Sequence, residues 1–108
     1  MKWTVAYYDE QVEKEIYSLP AGILARYLHY VELMEKYGID LRSPHSEPLG
    51  GGLFELRPKA PEGIGRVFYC TARGATVVML HSIIKKTQKT PKKELDIARA
   101  RLKEVKNG

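Results

Sequence analysis

The chain has 108 residues, which is enough for one hydrophobic core and too few for two, so we predict a single domain over residues 1–108. Hydrophobic residues make up 44% and charged residues 29%, which excludes a disordered chain, and no apolar run is long enough to cross a membrane. The single cysteine excludes an internal disulfide, and the first residues lack the apolar segment of a secretion signal. We therefore expect a cytoplasmic protein with no membrane partner.

Positive charge is concentrated at the end of the chain. The net charge is +5, yet residues 1–84 carry nine basic and ten acidic side chains. Residues 85–108 carry nine basic and three acidic side chains, so the last quarter holds the whole excess. A basic segment attached to a folded body indicates a polyanionic partner, although a solvated helix face with a soluble tail has the same composition.

The first third of the chain predicts a strand followed by two helices. Residues 3–8 are rich in β-branched and aromatic side chains, which favours a strand. Asp9 is a suitable N-cap for a short helix that ends at Pro20. Apolar residues at three- and four-residue steps indicate a second helix, and Gly38 directly after it is a typical C-terminal cap. The two helices are expected to form a hairpin packed on a sheet.

The rest of the chain predicts a loop, three strands and a helix. Residues 38–52 include prolines and three consecutive glycines, which is typical of a loop. Thr90 is predicted to cap the final helix and Pro91 to begin it. The three strands are predicted over residues 53–57, 65–71 and 75–84. The order β-α-α-β-β-β-α predicts an α+β domain with a mostly antiparallel four-stranded sheet, an N-terminal helical hairpin and a C-terminal helix.

Alternation along the strands assigns side chains to the two faces of the sheet. The face under the helical hairpin is predicted to hold Phe54, Leu56, Val67, Tyr69, Val78 and Leu80. The opposite face is predicted to be open and to hold Glu55, Arg57, Arg66, Phe68, Met79, His81 and Ile83. The last strand runs into Lys85, Lys86 and Lys89, so cations from several elements converge at one end of the open face.

Such a face suits RNA. Arginine binds phosphate with a planar fork, lysine supplies a point charge, and an exposed ring such as Phe68 stacks on an unpaired base. RNA also carries its own nucleophile, the 2′-hydroxyl, so cleavage needs in-line placement, charge stabilisation and two proton transfers. The sequence has no compact cluster of metal ligands, and we expect neither a metal nor a cofactor. Purely structural explanations also exist: Arg57 paired with Glu55 on a solvated sheet, and His81 satisfied within the fold.

Four segments of the chain carry a family resemblance. They are Pro48-Leu49-Gly50-Gly51-Gly52-Leu53-Phe54-Glu55-Leu56-Arg57, Arg66-Val67-Phe68-Tyr69, Val77-Val78-Met79-Leu80-His81 and Lys85-Lys86-Thr87-Gln88-Lys89-Thr90-Pro91. Together they resemble the RelE/HigB superfamily of type II toxins, and most of all its phage-derived, HigB-like branch. Their order and spacing cover about residues 48–102.

The resemblance implies a RelE-like fold and a ribosome-dependent endoribonuclease that cleaves messenger RNA by 2′-hydroxyl attack. It places Arg57 and Arg66 at two arginines of the family, of which Arg66 stabilises the reacting phosphate. Lys85 and Lys86 fall in the basic pair that supports transition-state charge, and His81 falls at a histidine common in the HigB-like branch. The expected catalytic residues are Glu55, Arg57, Arg66, His81 and Lys86. The expected RNA-binding residues are Phe68, Lys85, Lys89 and Lys92.

Two departures from the family leave the general base open. RelE toxins often have a lysine where Glu55 stands, and a tyrosine near the start of the last helix, where this chain has Glu94-Leu95-Asp96. Glu55 or His81 is a candidate base, and a site that relies on positioning and electrostatics alone is the other possibility.

Two other functions are also considered for this sequence. A ParE-like toxin would block DNA gyrase without cleaving RNA, but ParE toxins usually lack the full cationic site that this chain has. A plain RNA-binding module would bind RNA without turnover.

The resemblance also implies a cognate antitoxin, a helix-turn-helix protein of the HigA type that binds its own promoter.

Overall fold

Three helices and a six-stranded sheet form the described part of the chain, which comprises residues 2–38, 45–85 and 89–108 of a computed structural model. The helices are α1 (Glu10–Tyr17), α2 (Ala21–Tyr37) and α3 (Lys92–Asn107). The strands are β1 (Thr4–Tyr7), β2 (Ser46–Gly50), β3 (Leu53–Leu56), β4 (Lys59–Ala60), β5 (Gly63–Ala72) and β6 (Thr76–Lys85). The α+β class and the placement of the three helices are therefore confirmed.

The sheet is larger than the sequence predicts, and it is mixed. Its strand order is β1-β6-β5-β3-β2, with β4 paired to β5 outside this path. β1 runs parallel to β6, and the other strand pairs are antiparallel. The prediction of four strands misses β2 and β4. β2 contains Pro48, which cannot donate to a strand ladder, and it is tolerated because β2 lies at the edge of the sheet.

Two of the three helix caps predicted from the sequence are confirmed. The Asp9 carboxylate accepts a hydrogen bond from the backbone N–H of Val12 at 2.8 Å, as an N-cap does. Gly38 ends α2 with a φ of 56°, which is the left-handed region that favours glycine. At α3 the expected cap is wrong: Pro91 is the N-cap residue and the helix begins at Lys92, so Thr90 lies one residue outside it.

The helical hairpin covers one face of the sheet. Ile16, Ile23, Tyr27 and Met34 from α1 and α2 are buried with sheet residues in one hydrophobic cluster. The sheet contributes Leu56, Val67, Tyr69, Val77 and Met79, with Phe54 partly buried beside them. Leu56, Val67, Tyr69 and Phe54 lie on the predicted face, and both helices pack on that face as predicted.

α3 covers the opposite face, which the sequence predicts to be open. Its Ala98 is buried with Leu53, Phe68, Cys70, Val78 and Leu80. Val78 and Leu80 therefore lie on the α3 face, and Met79 lies on the face under α1 and α2. For these three residues the observed face is the reverse of the predicted one. The reason is a bulge in β6: Tyr69 pairs with Met79 and Phe68 with His81, which leaves Leu80 as an extra residue. Beyond the bulge, His81 and Ile83 lie on the α3 face as predicted.

None of the helices in residues 2–38, 45–85 and 89–108 is both long enough and apolar enough to span a membrane.

Candidate active site

A row of three paired residues crosses the centre of the sheet on its α3 face. Glu55 on β3 pairs with Phe68 on β5, and Phe68 pairs with His81 on β6. Residues paired in this way point to the same face, because side chains alternate along each strand. The Phe68 ring therefore separates the two polar groups that the rest of the site is built around, which are the Glu55 carboxylate and the His81 imidazole.

The Glu55 carboxylate holds both predicted arginines. Its Oε1 accepts a hydrogen bond from Arg57 Nε at 2.8 Å and another from Arg66 Nη1 at 2.7 Å. Glu55 is 2% exposed, and a buried carboxylate is stable as an ion only when it is paired in this way. Its hydrogen bond and charge raise the pKa of the Arg57 guanidinium above the usual value. The structure therefore brings Arg57 and Arg66 together on one carboxylate oxygen.

Accessibility distinguishes the two guanidinium groups. The Arg57 side chain is 36% exposed, at the point where β3 has ended, whereas the Arg66 side chain is 10% exposed. An anion that approaches this cluster from solvent would therefore reach Arg57 before Arg66. Arg66 lies below it and is fixed by Glu55, so that its charge acts on the site from a preorganised position.

A second carboxylate, on Glu47, completes this cluster. Its Oε2 lies 3.3 Å from Arg57 Nη2, and its side chain is 38% exposed. The sequence does not predict Glu47 as a site residue, because the prolines and glycines of residues 38–52 favour a loop there. With β2 in place, Glu47 is the cross-strand partner of Glu55, and alternation then assigns it to the same face.

On the other side of Phe68, an imidazole and a carboxylate form a second pair. His81 Nε2 lies 2.7 Å from Oε1 of Glu94 in the first turn of α3. The His81 ring stacks on the Phe68 ring with centroids 6.2 Å apart. Its Nδ1 is buried and has no hydrogen-bond partner. Glu94 was not among the predicted site residues, because its contact depends on how α3 packs on the sheet.

The remaining predicted residues have different outcomes. Phe68 is fully buried beneath α3, so the expectation that its ring stacks on a base is wrong for this structure. Lys92 is exposed and pairs with Asp96 at 2.8 Å, and Lys89 is also exposed. Lys86 and the side chain of Lys85 lie outside the described residues. The described part of the chain contains no group of three or more potential metal ligands.

This arrangement offers two kinds of chemistry on one face of the sheet. A half-exposed guanidinium, backed by a second one, is suited to bind and polarise an anionic group such as a phosphodiester. Partly exposed carboxylates on both sides, Glu47 and Glu94, are suited to proton transfer. Strand geometry puts the Cα atoms of Arg66 and His81 roughly 8 Å apart, so both residues lie on the same part of the α3 face.

Comparisons with known proteins show the family and the fold of this chain. A family described as "Phage derived protein Gp49-like" matches residues 14–103. A search of curated proteins gives no match. Among solved structures, the chain is similar to the archaeal RelE–RelB complex from Pyrococcus horikoshii OT3, with 24% identity and a TM-score of 0.56. The similarity covers 80% of this chain and 98% of that one, and it establishes a shared fold.

Proposed function

This chain belongs to the phage-derived Gp49-like family, and we propose that it is the toxin of a toxin–antitoxin pair that cleaves messenger RNA on the ribosome. The observation that carries the proposal is the pairing of Arg57 and Arg66 on one buried carboxylate, Glu55. A surface arginine needs no buried carboxylate to hold it. An arrangement that places two guanidinium groups against each other is suited to a doubly contacted phosphate.

The proposed reaction is attack of the 2′-hydroxyl on the adjacent phosphorus. Arg57, the more exposed of the two arginines, binds a non-bridging oxygen of the phosphodiester. Arg66 stabilises the charge that develops on phosphorus, as the family resemblance implies. Lys86 remains a proposed contributor on the basis of the sequence alone, together with Lys85, Lys89 and Lys92 as contacts to the RNA backbone.

A cognate antitoxin is the second part of the proposal. The archaeal RelE that shares this fold was solved with RelB, and a basic nuclease with an accessible site has to be neutralised in the cell. We place the chain in the HigB-like branch, in which the antitoxin is a helix-turn-helix protein of the HigA type. The toxin acts in the cytoplasm, where its ribosomal substrate is found.

The proposal predicts that Arg57→Ala abolishes growth arrest and mRNA cleavage. Loss of one transition-state contact lowers such a rate by roughly 10²–10³. The measurement maps mRNA 5′ ends on translating ribosomes after induction. Arg73→Ala is the matched control, because Arg73 is an exposed arginine in the turn between β5 and β6, away from the site, and this variant should cleave at the wild-type rate.

Two results would contradict the proposal. Equal arrest by the wild type and by Arg57→Ala would remove the site from the activity. Arrest with intact mRNA would point to another target, and inhibition of gyrase supercoiling by purified protein would then identify the ParE-like mode of action.

A further inference from the structure

The general base is the part of the reaction that the sequence leaves open, and the structure narrows the choice. Both candidates from the sequence are closed to substrate. Glu55 is 2% exposed, and its Oε1 accepts hydrogen bonds from Arg57 and Arg66. His81 has one ring nitrogen bonded to Glu94 and the other buried without a partner.

The accessible group beside His81 is the Glu94 carboxylate. The Glu94 side chain is 26% exposed, against 11% for His81, so a ligand that approaches this pair from solvent reaches the carboxylate before the ring. We propose that Glu94 is the general base of the reaction and that His81 is the positioning residue behind it. This assignment rests on the proposed nuclease function and gives it a proton acceptor.

The imidazole is built to orient a carboxylate. An ionised carboxylate has no proton to donate, so Nε2 of His81 carries the proton in the 2.7 Å contact and donates it to Oε1 of Glu94. Stacking on the buried Phe68 ring fixes the plane of the imidazole. With Oε1 held in this way, the second carboxylate oxygen of Glu94 is the one that remains to accept the proton of a substrate hydroxyl.

The proton transfers balance as follows. The 2′-hydroxyl proton passes to the Glu94 carboxylate while the 2′-oxygen forms its bond to phosphorus. The P–O5′ bond breaks, and the departing 5′-oxygen takes a proton from water. The products are a 2′,3′-cyclic phosphate and a 5′-hydroxyl, and Glu94 returns its proton to solvent.

Glu47 is the competing carboxylate. It is 38% exposed, but its Oε2 contacts Arg57, the guanidinium to which the proposed function assigns the phosphate. A phosphate on Arg57 therefore displaces or repels Glu47, whereas Glu94 contacts a histidine that has no assigned phosphate contact. Geometry thus favours Glu94, and an experiment separates the two carboxylates directly.

The experiment measures single-turnover cleavage of mRNA on programmed ribosomes by purified wild type and by carboxylate-to-amide variants. We expect Glu94→Gln to cleave roughly 10²–10⁴-fold more slowly than the wild type, which is the usual contribution of general base catalysis. The matched control is Asp96→Asn, which removes an exposed carboxylate two residues away on the same helix and should stay within about threefold of the wild-type rate. Glu47→Gln should lose roughly tenfold at most, through altered placement of Arg57.

Binding is measured separately from chemistry with an mRNA that carries a 2′-deoxynucleotide at the cleavage position. Because Glu94→Gln removes a negative charge, its affinity for this uncleavable mRNA should equal or exceed that of the wild type. A Glu94→Gln/His81→Gln double variant should be no slower than Glu94→Gln alone, because the two residues act as a unit.

The outcomes are distinguishable. If the wild type leaves mRNA intact, the nuclease proposal fails and takes the assignment of Glu94 with it. If the wild type cleaves and Glu94→Gln cleaves equally fast, or if Glu47→Gln shows the large loss instead, only the assignment of Glu94 is overturned. A slow Glu94→Gln with matching loss of binding to the 2′-deoxy mRNA also overturns it, because the residue would then act in binding.

Discussion

At the scale of single residues, Gly38 allows the Trp3 side chain to pack against the C-terminal end of α2. Gly38 ends α2 at a φ of 56°, and a Cβ added at this position would overlap the ring of Trp3. The backbone N–H of Trp3 also donates to the carbonyl of Glu35 in the last turn of α2. The N-terminal segment is therefore seated against the end of α2 only because this position has no side chain.

We predict that Gly38→Ala lowers the free energy of unfolding by about 2–4 kcal/mol, from backbone strain together with overlap with the Trp3 ring. Gly52→Ala is the control that separates the two causes, because Gly52 has a φ of 87° and nothing within 4 Å of its added Cβ. Urea unfolding of both variants is the measurement. Equal losses would show that strain acts alone and that Trp3 moves aside without cost.

Residue types and alternation were sufficient to predict part of the site. Alternation predicts Glu55 and Arg66 on one face because β3 and β5 are regular there, and their pairing follows from opposite charge. Glu94 could not be predicted in the same way, since its distance to His81 depends on the crossing of α3 over β6. The burial of Phe68 was missed for the same reason: alternation gives a face, and only packing shows what covers it.

At the scale of elements, α3 is attached to the sheet by polar contacts at its edges as well as by its apolar stripe. Arg99 donates from Nη1 to the carbonyl of Gly50 at 3.0 Å and from Nη2 to that of Leu49 at 3.1 Å. Arg101 donates to the carbonyl of Leu80 at 2.8 Å, at the bulge in β6. α3 thus connects the turn between β2 and β3 to the centre of the sheet.

We predict that Arg99→Ala loosens the β2–β3 hairpin more than it destabilises the whole domain. Loss of these hydrogen bonds removes about 0.5–1.5 kcal/mol of local stability, so amide hydrogen exchange in β2 should become roughly 2–12 times faster. Lys103→Ala, one turn further along the exposed side of α3, is the control and should leave exchange in β2 unchanged. Uniform acceleration in all strands by Arg99→Ala would contradict a local role.

Elements with a strong periodic pattern were predicted, and those set by pairing were not. α2 has a continuous apolar stripe and a glycine stop, and both of its ends were predicted nearly correctly. β2 has a proline and ends in glycine, and it is a strand only because β3 offers it a partner. β4 has two residues, which is too short for any pattern. The bulge in β6 changes alternation without a signal in the sequence.

At the scale of the whole molecule, charge and fold divide the chain differently. The body formed by residues 1–84 has a net charge of −1, and the segment from residue 85 to the end has a net charge of +6. That basic segment is not a separate tail, because α3 within it packs on the sheet and contributes Glu94 to the candidate site. A polyanion drawn to the basic helix is therefore brought to the site itself.

Because the candidate site adjoins a basic helix, the proposed function predicts a steep dependence of RNA binding on salt. About five phosphate contacts to single-stranded RNA give a slope near −3.5 in a plot of log affinity against log salt, or roughly 100-fold weaker binding for a fourfold rise in salt. Replacing both Lys92 and Lys93 on α3 with glutamine should make the slope less negative by about 1.4, since two contacts are removed. Lys14→Gln on α1, which is also an exposed lysine, is the control and should leave the slope unchanged. An equal change for Lys14→Gln would mean that RNA responds to the net charge of the molecule, and the basic face of α3 would then have no special part in delivering RNA to Arg57 and Glu94.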